Sequence, residues 1–147
     1  MPKVSVISIA LSPKEFEPLR RALVRQTFQD FEFVGEAGGT IPEAWNRAIA
    51  RAKGDVLVIT ETDATFVNER WLEELVGSIP DENTIVKGLE VTGSPWDLAN
   101  LAAHRSVFAD VRFDESLQAG LEADAPACLS LWSVPCAAAP DVRQGRG

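Results

Sequence analysis

The chain has 147 residues, 46% of them hydrophobic and 24% charged, which suits one domain with a buried core. Its net charge of −8 excludes the basic stripe that nucleic acid demands, and disfavours an anionic membrane surface. No apolar run approaches the roughly 20 residues of a membrane span.

Met1-Pro2-Lys3 leads into Val4–Ile9, a β-branched run that reads as a first strand, without signal-peptide architecture. Ser12-Pro13-Lys14-Glu15 opens a helix with an N-cap Ser, Pro in the first turn and Glu closing a capping box. Phe16, Leu19 and Leu23 give that helix an inward stripe. Phe31-Glu32-Phe33-Val34 reads as a second strand, and the residues from Gly35 to Gly39 as an acidic turn. Thr40-Ile41-Pro42-Glu43 repeats the capping chemistry, and Ile41, Ala44, Trp45, Ala48, Ile49 and Ala52 share one face of the helix behind it. Gly54 ends that helix.

Val56–Ile59 is a short buried strand that stops at Glu61-Thr62-Asp63. Two carboxylates one residue apart project the same way from extended backbone, and can share a hard divalent cation. At the carboxyl end of a parallel strand they stand where an open α/β sheet binds its ligand. A carboxylate pair repels phosphate directly but holds it through Mg²⁺ or Mn²⁺. A helix near 68–77 follows, with Trp71, Leu72, Leu75 and Val76. Thr84-Ile85-Val86 reads as a fourth strand, 96–104 as a short helix, and a last helix is expected within 119–132.

The β-α-β-α-β-α order implies an α/β fold, a three-layer α/β/α sandwich with a mostly parallel central sheet. One domain is expected over residues 1–132. Residues 133–147, rich in Pro, Ala and Gly, read as a loosely held end. Cys128 and Cys136 lie outside any paired motif and read as free thiols in a reducing compartment. With no signal sequence, the expected location is cytoplasmic.

Several segments in order resemble the family 2 glycosyltransferases of GT-A fold. They are Lys3-Val4-Ser5-Val6-Ile7-Ser8, Gln26-Thr27-Phe28-Gln29-Asp30-Phe31-Glu32, the 44–55 helix and turn, Glu61-Thr62-Asp63 at the Asp-x-Asp position, Arg105-Ser106-Val107-Phe108 and Phe113-Asp114-Glu115-Ser116-Leu117. The resemblance implies an enzyme that moves a sugar from a nucleotide-diphosphate donor to an acceptor hydroxyl with inversion. It implies that Glu61 and Asp63 support a divalent cation, Mg²⁺ or Mn²⁺, and that Glu36 contacts the nucleoside. It places the catalytic base at Asp124, with Glu122 as the neighbour under a shifted alignment. Arg47 has the reach for the diphosphate, against the default of a surface arginine.

The chain departs from the family pattern at Ile9-Ala10-Leu11-Ser12, at Glu36-Ala37, at Ala64 after the acidic motif and at Ser130, and little chain follows residue 132. Those departures motivate an alternative: a catalytically inactive GT-A-like module that binds a nucleotide or a partner protein. The acceptor class (glycan, lipid-linked or small molecule) and any homo-oligomer are not written in the sequence. Trp45 and Trp71 read as core. Trp96 is read either as lining an acceptor pocket or as buried, and the single histidine, His104, as structural. A Gly-x-Gly-x-x-Gly loop and a Walker sequence are absent, which sets other nucleotide-binding α/β folds aside.

Overall fold

In β1 (Val4–Ala10) successive side chains point to opposite faces of the sheet. Val4 and Val6 enter one apolar layer with Leu19 and Leu23, while Ile7 enters the other with Ile41, Trp45 and Ala48. The computed structural model describes residues 3–62, 64–66, 68–90, 100–109, 113, 115 and 136–146, with only the backbone course at 64, 65, 89, 90 and 136–146. Asp63, Trp96, Glu122, Asp124, Cys128 and the expected 119–132 helix lie outside the described residues.

The capping signals are used locally. The Glu15 carboxylate accepts the Ser12 N–H at 2.8 Å, and a 3₁₀ turn over Pro13–Phe16 leads into α1 (Glu17–Val24). The chain returns through β2 (Phe31–Ala37), parallel to β1. Helix α2 (Ile41–Arg51) is capped by Thr40, whose Oγ1 accepts the Glu43 N–H at 3.4 Å. Strand β3 (Val56–Ile59) then pairs with the other side of β1, again parallel. The crossover from β1 to β2 and the one from β2 past β1 to β3 run in opposite directions across the sheet, so right-handed connections put α1 and α2 on opposite faces.

The rest of the sheet is mixed. Short strand β4 (Ala64–Phe66) precedes α3 (Trp71–Gly77), which packs with α1. Strands β5 (Ile85–Glu90) and β6 (Leu101–His104) and helix α4 (Arg105–Ala109) follow, then β7 (Cys136–Arg146). The described strands form one sheet in the order β2-β1-β3-β6-β5-β7-β4. Its β2-β1-β3 part is parallel, β6 runs antiparallel to both β3 and β5, β7 runs parallel to β5, and β4 antiparallel to β7. Helices cover both faces, as the order of elements predicts.

One sequence expectation is corrected here. Leu101–His104 is a strand rather than the end of a helix. Ala102 and Ala103 are good helix formers, but pairing on both sides of this segment and burial on both faces outweigh that weak preference. Within 133–147, Cys136–Arg146 forms β7. Its backbone groups pair with β5 and β4, an outlet that composition does not reveal. The ladder shifts between Ala139 and Arg143, across Pro140, which has no N–H to give.

The end of the sheet where β1 and β3 begin is closed by polar contacts. Ser5 Oγ donates to Glu32 Oε1 at 2.6 Å and accepts the Gly54 N–H at 2.8 Å, and Glu32 Oε1 also accepts the Lys53 N–H at 2.6 Å. A Cβ on Gly54 would stand 2.6 Å from backbone atoms of Val4 and Ser5, so only glycine lets α2 turn into β3 this closely. The Arg105 guanidinium holds the Ala52 and Lys53 carbonyls. His104 sits at this same end, opposite Val56, with Nδ1 3.0 Å from Ser106 Oγ, in keeping with a structural histidine.

Candidate functional site

At the opposite end the parallel strands β2, β1 and β3 finish side by side, with β1 between strands wound to either side. That is a topological switch point, where a crevice forms outside the strand ends. The Thr60 N–H continues the β1–β3 ladder onto the Ile7 carbonyl at 3.1 Å, and Glu61 follows, half-buried. The structure therefore places Glu61 at the carboxyl end of β3. No group of three His, Cys, Asp or Glu suited to a metal occurs among the described residues. Glu61 brings the hard oxygen chemistry of Mg²⁺ or Mn²⁺, and its partner in the motif, Asp63, is not among those residues.

Glu36 is two strands away on β2, about 10 Å sideways at ordinary strand spacing. It shares the α2 face with Glu32 and Val34, and α2 meets it. Arg47 Nε donates to Glu36 Oε2 at 3.2 Å, and Arg51 donates to Oε1. Burial pushes the Glu36 carboxyl up, but these two guanidiniums outweigh it and hold the group below its ordinary value. Arg47 also donates to the Gly38 carbonyl at 2.8 Å. Gly38 and Gly39 both have positive φ, 84° and 78°, and the Gly38 N–H returns to the Ala10 carbonyl. Glu36 and Arg47, two separate donor contacts in the sequence reading, are thus partners that frame the turn from β2 into α2.

Asn46 stands beside Arg47 on α2. Its Nδ2 donates to the Phe113 carbonyl at 3.0 Å and to Glu115 Oε1 at 2.9 Å, while its Oδ1 accepts the Phe113 N–H at 2.9 Å. Trp45 stacks on the Phe113 ring, centroids 6.3 Å apart. Helix α2 therefore grips the 113–115 segment on one side and the 36–38 turn on the other.

A buried polar row crosses the sheet just inside the strand ends, on the α1 and α3 face. Gly35 pairs with Ser8, and Thr60 and Asn100 each stand one residue beyond the last paired residues of β3 and β6. The Gly88 N–H donates to the Asn100 carbonyl at 2.8 Å. The row behind it, Phe33, Val6, Val58, Ala102 and Val86, is wholly apolar. Ser8, Thr60 and Asn100 are fully buried, and Ser8 Oγ has no hydrogen-bond partner among the described residues. Asn100 has φ 59°, a left-handed conformation in which Asn is several-fold enriched. An Asn just before an apolar run was the available sequence signal for this turn.

An α/β/α sandwich with its candidate ligand residue at a β1/β3 switch point is the GT-A-like fold of glycosyltransferases, and solved structures agree. A mannosyltransferase from Pyrobaculum calidifontis, solved with GDP-Man and Mn²⁺, superposes with a TM-score of 0.72 at 17% identity, over 99% of this chain and 56% of its own. S. aureus TarS does so with a TM-score of 0.72 at 16% identity, over 98% of this chain and 36% of its own. TarS 1–349 in complex with UDP matches with a TM-score of 0.71 at 16% identity, over 97% of this chain and 60% of its own. The chain spans less than two thirds of the length of each. No protein-family profile matches the sequence, and no curated protein does. No helix among the described residues is long and apolar enough to cross a membrane.

Proposed function

We propose that the chain binds a nucleotide-activated sugar at the ends of β1 and β3 and transfers the sugar to an acceptor hydroxyl. The observation that carries this reading is the half-buried carboxylate of Glu61 at the end of β3 in a GT-A-like sheet. Glu61 and Asp63 would hold the Mg²⁺ or Mn²⁺ that neutralises charge gathering on the departing diphosphate. Glu36 and Arg47 frame the donor side by fixing the turn into α2. Asp124, or Glu122 beside it, takes the acceptor proton as the hydroxyl oxygen attacks the anomeric carbon. The bond to the nucleoside diphosphate breaks in the same displacement, which inverts the centre. The proposed acceptor is a glycan, a lipid-linked sugar or a small molecule, and the proposed setting is the cytoplasm.

The test is thermal unfolding with GDP, UDP and their sugars, with and without Mn²⁺, on wild type and Glu61→Ala/Asp63→Ala. At about a hundred times Kd, a true ligand adds roughly 2.7 kcal/mol of stability. Metal-dependent protection lost in the variant supports the reading, and ligand-independent melting across the whole panel overturns it. The alternative, a GT-A-like module that binds nucleotide or a partner protein without transfer, draws on the mutual engagement of Glu36 and Arg47. Sugar release from a nucleotide-sugar, abolished in Asp124→Asn, would sink that alternative.

A further inference from the structure

Trp71 links the strand after the acidic segment to the residue that stands across from Thr60. Before Glu61 stands Thr60, buried, with Asn100 across from it in the next place along the β3–β6 register. After Asp63 the chain reaches Phe66, whose ring stacks on Trp71 with centroids 4.0 Å apart and planes 10° from parallel. The Trp71 indole Nε1–H donates to Asn100 Oδ1 at 2.7 Å. One side chain therefore touches the strand that leaves the segment and the residue that faces its start.

Both anchors are fixed. The Asn100 carbonyl accepts the Gly88 N–H, and a Cβ on Gly88 would lie 2.3 Å from Asn100 Nδ2, so β5 leaves the amide one place to sit. Trp71 is 1% exposed. Its neighbour Leu72 donates its N–H to Gln26 Oε1 at 2.9 Å, and Gln26 Nε2 donates to the Asn68 carbonyl at 3.2 Å. The Thr27 N–H reaches the Glu69 carbonyl at 2.8 Å. A buried indole N–H needs an acceptor, and here the acceptor is an asparagine in left-handed backbone at the ligand end of the sheet.

We infer that Trp71 and Asn100 are positioning residues for Glu61, tying the end of β3 to the strand that carries Phe66 so that the Glu61 carboxylate meets a divalent cation at fixed geometry. This rests on the reading of Glu61 and Asp63 as cation ligands, and it adds residues that touch neither the cation nor the nucleotide. The residues behind metal ligands commonly set affinity as strongly as a tenfold to hundredfold change.

The experiment uses Trp71→Phe, which keeps the stacking ring and removes the N–H, and Asn100→Gly, which keeps the backbone conformation and removes the amide. Amide hydrogen exchange is measured without ligand, and Mn²⁺-dependent binding of GDP and UDP by titration calorimetry. In each variant, amides in 60–66 are expected to exchange about tenfold faster while Val4–Ile9 is unchanged. Nucleotide binding in the presence of Mn²⁺ should weaken about tenfold or more. The double variant should be no worse than either single one, because the two act through one hydrogen bond. Unchanged exchange at 60–66, or faster exchange spread evenly over the sheet, would overturn the inference and leave Trp71 a packing residue alone. Wild-type nucleotide affinity in both variants would overturn it as well. If wild type binds neither nucleotide, the donor reading falls and the inference falls with it, whatever the exchange data show at 60–66.

Discussion

Ser5 and Ser8 lie on one strand, both fully buried, with opposite bonding. Ser5 Oγ links Glu32 and the Gly54 N–H, so Ser5→Ala leaves a buried donor bare and should cost about 1–3 kcal/mol in urea unfolding. Ser8 Oγ has no such partner among the described residues, so Ser8→Ala should be neutral or stabilising by up to about 1 kcal/mol. Equal losses in the two variants would contradict this contrast. Glu36 adds a pH signature. Its folded-state carboxyl titrates below its unfolded value because Arg51 and Arg47 prevail over burial. Its stabilisation is thus complete above the unfolded pKa and disappears as pH falls through the folded one. The melting-temperature gap between wild type and Glu36→Gln should be open at neutral pH and close on acidification through the carboxylate range. A gap that widens in acid would refute the ion-pair account.

At the scale of elements, α2 does most of the joining, and its sequence announced only part of that. Its cap and its stripe of Ile41, Trp45, Ala48 and Ala52 were legible because period and capping are local. The grip of Asn46 on Phe113 was not, since 67 residues separate the partners. Asn46→Ala should lower stability by about 1–3 kcal/mol, by stranding the Phe113 amide, and should speed exchange at Phe113 more than anywhere in β1. At the other end of α2, Gly54→Ala drives a Cβ into the β1 backbone and should cost about 1–3 kcal/mol by chemical unfolding. A neutral Gly54→Ala would show that this corner is softer than the contacts imply. The strand β6 escaped notice for the complementary reason. Leu101–His104 holds two alanines that suit a helix, and its strand character exists only between β3 and β5. For the site, Glu61 was readable because a strand end and a carboxylate adjoin in sequence, whereas the Trp71–Asn100 bond joins positions 29 apart.

On the whole molecule, the sheet has one closed end and one end proposed for ligand. Ser5, Glu32, Gly54 and Arg105 lock the first, while Glu61, Asn100 and the 36–39 turn occupy the second. A net charge of −8 makes self-repulsion a whole-molecule term, screened over about 8 Å at physiological salt. The melting temperature should therefore rise between low and physiological ionic strength, and a fall would mean that local ion pairs such as Glu36 with Arg47 outweigh it. Among the described residues the two apolar layers share no buried side chain: Leu19, Leu23 and Trp71 lie in one, Trp45, Ala48 and Phe113 in the other. Between them stands only a single sheet, so α1 and α2 can loosen on separate schedules in the free protein. A ligand seated across the strand ends grips the sheet that both layers rest on. Occupancy would then turn two independently breathing halves into one body, and exchange in α1 and α2 would slow together.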